Sequence, residues 1–189
     1  MTAMAGAPWS VVLDYSQGAA FALGVRDALG ITDPLGLPAV DPPLTLVIEP
    51  AVEADGETDA LWRRWWDRAL SPAGQEEPGP TLPPEGLLGQ VVRGNLDTLH
   101  RWSAARKREV AEATRPTRAV PRLRDALREY EQTTGIRVGG FRLQVTAVPV
   151  SGPVFLSLDG DRLIVSITLL RDRAEYLRRV LAHVGSTRD

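Results

Sequence analysis

The chain has 189 residues, of which 43% are hydrophobic and 24% charged; its net charge is −2 and it holds no cysteine. That composition is expected of a soluble globular protein, and the missing thiols exclude a disulfide framework, a thiolate metal site and a cysteine nucleophile. No apolar run approaches the ~20 residues needed to span a bilayer, and Met1–Pro8 lacks the basic residues of a secretory signal, so a cytoplasmic chain without membrane attachment is expected.

The elements follow from periodicity and punctuation. Trp9–Asp14 is short and β-branched and predicts a strand. Ser16 is placed to cap a helix over Gln17–Leu29, with Gly30 at its C-terminal end. Gly18, Ala19, Ala20, Ala22 and Gly24 give that helix a small-residue surface that lets a neighbour approach closely. After the proline-rich Asp33–Pro43 stretch, the nearly all-apolar Leu44–Glu49 predicts a second, central strand. An acidic entrance at Asp55–Asp59 suits the positive end of a helix dipole and predicts a helix to about Leu70.

Ser71–Gly86 holds five prolines and three glycines and reads as a linker or loop. One α+β domain over 1–189 is expected, with possible lobes at 1–70 and 87–189 joined by 71–86. Leu88, Val92, Leu96, Leu99, Ser103 and Val110 keep helical spacing, predicting one long helix over about 87–113 that Pro116 stops. Val120, Leu123, Leu127 and Tyr130 predict another, ending near Gly135. The period then changes. Phe141, Leu143, Val145 and Ala147 alternate with polar residues as in a half-buried strand. Val154–Leu158 and Leu163–Leu169 flank Asp159-Gly160-Asp161 and predict a hairpin with positive φ at the turn. Ala174, Leu177, Val180, Leu181 and Val184 mark a final helix. The expected architecture is a mixed sheet of about five strands with a C-terminal antiparallel meander, covered by about five helices.

Charge is unevenly spread. Residues 93–128 carry +6, residues 1–92 carry −9 and residues 129–189 carry +1. An acidic front and a basic middle point to a charged contact, within the fold or with a partner. Arg93, Asp97 and Arg101, and likewise Arg108 and Glu112, stand at i, i+4 spacing and are expected to pair in part. Trp102 beside Arg106 and Arg108 offers an aromatic among cations, the composition of a nucleic-acid surface, but no recognition motif accompanies it. In Leu61–Leu70, Trp62, Trp65 and Ala69 form one helical stripe while Trp66 points about 100° away from Trp65. Trp66, with Arg63 and Arg68 beside it, either widens the apolar face under the long helix and the proline-rich loop or, as expected here, stands at the surface as the anchor of a binding face.

The sequence Asp14-Tyr15-Ser16-Gln17-Gly18-Ala19, a strand delivering a serine into a helix, resembles the nucleophile elbow of cutinase-like serine hydrolases. The resemblance covers six residues. It implies Ser16 as nucleophile and His183 as base, with Asp159, Asp161 or Asp172 orienting the histidine. Asp14 departs from the pattern, standing where a small residue is needed and placing charge beside a nascent oxyanion. Read from the residues alone, Ser16 is a helix cap.

His100 and His183 are isolated and no Gly-rich phosphate loop is present, so no metal and no cofactor is expected. Arginine outnumbers lysine 21 to 1, a usage suggesting a GC-rich bacterial genome. The functional expectation is a non-enzymatic binding, adaptor or accessory protein acting on a protein partner or as a homodimer. A serine hydrolase using Ser16 and a nucleic-acid binder using 93–128 are the alternatives.

Overall fold

A computed structural model describes residues 9–48, 56–71, 83, 86–115 and 122–186. Most of the expected 71–86 linker, the start of the helix predicted from Val120, and Glu49 lie outside them. Among the described residues the elements are β1 (Ser10–Asp14), α1 (Gln17–Leu29), α2 (Gly56–Leu70), α3 (Leu87–Gly94), α4 (Leu96–Ala113) and α5 (Leu123–Thr134). They continue with β2 (Arg142–Val148), β3 (Phe155–Ser157), β4 (Arg162–Ser166), α6 (Ile167–Arg171) and α7 (Arg173–Ser186). The fold is mixed helix and strand, broadly α+β. None of its described helices is long and apolar enough to cross a membrane.

The sheet has four strands in the order β1-β2-β4-β3. β1 pairs with β2 and β2 with β4 in parallel, Ser10 opposite Arg142 and Val145 opposite Leu163. Only β3 runs antiparallel, with Leu156 opposite Ile164. The expected meander is therefore corrected: the β3–β4 hairpin forms, but β2 lies beside β4. The chain leaves the sheet after β2, where Val150 bridges to Val40 and the Ser151 N–H donates to Ala39 O, and re-enters at the far edge. Nor does the hairpin turn rest on a positive φ at Gly160. Asp159 holds it, its Oδ1 accepting from the Asp161 and Arg162 N–H groups at 3.1 and 2.9 Å.

Two further expectations change for local reasons. The strand predicted to run to Leu169 stops at Ser166, which caps α6 by accepting from the Leu169 N–H while donating to Gly152 O. Ile167 and Leu169 are buried from a helical turn instead. The segment at 44–48 forms no strand. Asn95 takes the place of a strand neighbour: its Oδ1 accepts from the Val47 N–H at 2.7 Å and its Nδ2 donates to Val47 O at 2.8 Å. The same residue, after Gly94, splits the predicted long helix into α3 and α4.

Helix α1 sits at the centre. Every residue from Gly18 to Arg26 is buried, and a Cβ on Gly24 would lie 2.7 Å from Leu44 Cδ2. One hydrophobic cluster joins α1, α2 and α3 to Val148, Val150 and Ile164. A second joins Leu143, Val145, Leu163 and Val165 to α6 and α7, with Ala20 of α1 touching it. Trp62 fastens α2 to α1 by donating its indole N–H to Ala22 O at 2.7 Å. At the C-terminal end of α1, Gly30 is left-handed and Arg26 is buried, where a cation complements the helix dipole. Arg26 bridges to Asp27 and Asp33 and donates to Leu37 O and Pro38 O, folding the proline-rich loop against the helix.

Removing one partner of a buried ion pair strands the other, so Arg26→Ala is expected to lower folding stability by about 3–5 kcal/mol. Urea denaturation followed by tryptophan fluorescence measures it. A loss as small as that of an ordinary surface substitution would show that the loop does not depend on this guanidinium.

Candidate functional site

Helix α4 sorts the basic segment into two populations. Leu99, Ser103, Arg106 and Val110 recur at steps of four, three and four and form its buried face. Arg101, Ala104, Lys107, Arg108, Ala111 and Glu112 are exposed on the other. Arg93, at the end of α3, and Arg115, just past α4, are exposed too. The i, i+4 pairs expected within this face do not form: Arg93, Arg101, Lys107, Arg108 and Arg115 have no ion-pair partner among the described residues. What remains on α4 is Arg101, Lys107 and Arg108, exposed beside Asp97 and Glu112 without a direct ion pair among the described residues.

Arg106 behaves differently. Only 8% exposed, it bridges through Nη2 to Glu109 at 2.6 Å, and Glu109 in turn accepts from exposed Arg171 at 2.9 Å. Its Nε and Nη1 are buried with no hydrogen-bond partner. Beside this network the Tyr15 hydroxyl lies 3.0 Å from Ser103 Oγ. Burial pushes the Tyr15 phenol well above its usual range, outweighing the opposing hydrogen bond to Ser103 and the Arg106 charge, so Tyr15 stays neutral. Gln17 Nε2 and His100 Nδ1 are 3.0 Å apart, and the imidazole packs edge-on against Phe21. The turn from β1 into α1 is thus held to α4 by polar side chains.

The two catalytic candidates are not brought together. Ser16 Oγ donates to Ala69 O at 2.9 Å and accepts from the Ala19 N–H at 3.1 Å, which makes it a helix cap whose proton is committed to α2. His183, on α7, lies 3.2 Å from Gly160 O and packs edge-on against Phe155. No hydrogen bond joins it to Ser16. Of the proposed orienters, Asp159 closes the hairpin turn and bonds Arg162 at 2.6 Å, which holds its carboxyl below the usual range. Asp161 follows it in the turn, and Asp172 caps α7 through the Glu175 N–H. Among the described residues no group of three or more His, Cys, Asp or Glu is arranged to hold a metal.

The expectation of an exposed Trp66 is corrected. Trp66 is 2% exposed and stacks on Trp62, ring centroids 5.6 Å apart. A spacing of four residues brings these two rings over one another, and α1 and α3 close on them, so the apolar arc of α2 is wider than one stripe. Arg63 and Arg68 remain exposed. Trp102 is half-buried and touches both clusters; its indole donates to Pro42 O at 3.2 Å, tying α4 to the proline-rich loop. Arg108 is exposed where Arg106, two residues earlier, is not. The sequence carried a signal for that difference: position 106 completes the stripe of Leu99, Ser103 and Val110.

Truncation of a buried indole costs about 3–5 kcal/mol, so Trp66→Ala is expected to destabilise the fold by that much in urea titration, and a near-neutral result would place Trp66 outside the core. For Arg106 the sign of the change depends on which partner is removed. Arg106→Met takes away a guanidinium with two unpartnered donors and is expected to change stability by no more than about 1 kcal/mol. Glu109→Gln leaves that charge buried without its carboxylate and is expected to cost about 3 kcal/mol. Thermal and urea unfolding of the two variants in parallel measure the contrast. Comparison of the chain with protein-family models, with curated proteins and with solved structures found no match.

Proposed function

We propose that this chain works without catalysis, as an adaptor or accessory protein whose α4 face binds an acidic surface on a partner protein. The observation that carries the reading is that Arg101, Lys107 and Arg108 stand on one exposed arc of α4 with no ion-pair partner among the described residues, Arg93 preceding them and Arg115 following. Cations without internal partners keep their field available to a partner, which steers association and favours an acidic surface. Ala104 and Ala111, exposed between them, leave room for close approach. A protein partner is favoured over nucleic acid because no nucleic-acid recognition motif accompanies the basic segment.

The test compares a fluorescein-labelled polyglutamate peptide with a single-stranded oligonucleotide of equal length, by anisotropy across a salt series. The peptide is expected to bind at low salt, to weaken as salt rises, and to bind at least ~10-fold more weakly to an Arg101→Glu/Lys107→Glu/Arg108→Glu variant whose circular dichroism is unchanged. Equal binding to that variant would remove the α4 face from consideration. Tighter binding of the oligonucleotide would favour the nucleic-acid reading instead.

A further inference from the structure

β1 is an edge strand, and its Val11 and Leu13 side chains face the second hydrophobic cluster without being fully covered by it. Helix α7 approaches that face with Arg173, Tyr176, Leu177 and Val180, which share one stripe at steps of three, one and three. Leu123 at the start of α5 and Thr114 at the end of α4 complete the wall. Together they line a partly open cavity of about 280 Å³. At roughly 30 Å³ per water it has the volume of about nine water molecules.

Two polar groups of this cavity, on Tyr176 and Arg173, form no hydrogen bond or ion pair with a described residue. Tyr176 is only 3% exposed, yet its hydroxyl makes no hydrogen bond. Burial raises the Tyr176 phenol to about 12, with Arg173 opposing, so the group is a protonated donor at any ordinary pH. The Arg173 guanidinium lies 5.3 Å from the centre of the Tyr176 ring and forms no ion pair with a described residue. The acids beside it in sequence are engaged elsewhere: Glu175 holds Arg178 and Arg179 at 2.6 and 2.7 Å, and Asp172 caps the helix. Thr114 donates its proton to Val110 O at 2.8 Å. One cation and one hydroxyl donor therefore meet an apolar wall, and among the described residues no carboxylate lines the space.

We propose that this cavity binds a small organic monoanion, a carboxylate with an apolar body of about six carbons, Arg173 and Tyr176 taking the carboxylate and the aliphatic wall taking the chain. A single guanidinium matches one negative charge better than the two of a phosphomonoester, and a cationic ligand would meet a like charge with nothing to offset it. The site shares no residue with the exposed cations of α4, so the two proposals stand or fall separately.

Hexanoate serves as the probe, with 1-hexanol and hexylamine as neutral and cationic controls of the same length. In ¹⁵N-resolved NMR titrations hexanoate is expected to shift the amides of Val11, Leu13, Leu177 and Val180 saturably, with a Kd of about 1 mM or tighter, as suits a ligand of so few atoms. 1-Hexanol is expected to bind at least ~10-fold more weakly, because it forfeits the charge-assisted bonds, and hexylamine not at all. Arg173→Gln should weaken hexanoate by about 10-fold and Tyr176→Phe by about 5-fold, both with an unchanged far-field spectrum. Val180→Trp, which fills the cavity from α7, should abolish binding. Shifts that fail to saturate, equal affinity for 1-hexanol, or hexanoate binding that survives Arg173→Gln and Tyr176→Phe would each overturn the assignment.

Discussion

A helix with no exposed face is the constraint to which the rest of this structure answers. From Gly18 to Arg26, α1 meets protein on all sides, so α2, α3 and α4 must pack round it and the sheet must lie against it. Small residues make that possible: at Gly24 another residue's methyl carbon lies where a side chain would begin. The backbone groups at the two ends of the helix still need partners. Ser16 resolves one end and links it to α2 through Ala69 O. Gly30 and Arg26 resolve the other, and Arg26 does so by gathering two carboxylates and two loop carbonyls around one guanidinium.

Two other polar side chains organise the packing in the same way. Asn95 ends one helix, opens the next, and supplies both hydrogen bonds of a strand neighbour to Val47. Arg106 is the less complete arrangement. Its one carboxylate partner is shared with Arg171, and two of its donors are left over. On the same helix, Arg101, Lys107 and Arg108 stand exposed with no ion-pair partner among the described residues. The division between them follows from helical geometry: a basic run longer than one turn must send some of its members inward.

Much of the secondary structure was legible in the chain. The caps of α1, the helical stripes of α2, α5 and α7, and the β3–β4 hairpin each rest on local signals that tertiary packing left intact. Strand partners were not legible, because alternation at Phe141–Ala147 reports a pleat and a buried face but not which strand lies beside it. The apolar run at Leu44–Glu49 misled on two counts: among residues 44–48 only Leu46 is buried while Val47 is 82% exposed, and the backbone partner of Val47 is a side-chain amide. For Trp66 the helical wheel placed the ring correctly relative to Trp65, and the error lay in the width of the buried arc. Stacking on Trp62 cannot be inferred without knowing that neighbouring helices cover both rings. Of the residues expected to bind a partner, Arg108 stands exposed and Arg106 buried, a distinction that the spacing of Leu99, Ser103 and Val110 already held.

The pairing of Ser10 with Arg142 has a consequence for how the chain acquires its shape. β1 precedes its neighbour β2 by more than a hundred residues, and among the described strands β2 is the one it pairs with. The β3–β4 hairpin closes over a short turn, but joining β1 to β2 closes a loop through most of the molecule and is entropically late. Until then the apolar Val11 and Leu13 lack the neighbours they have in the finished fold. Early synthesis and late docking of the same strand make its completion a slow, non-local step, and the nascent chain carries an unpaired edge while it waits.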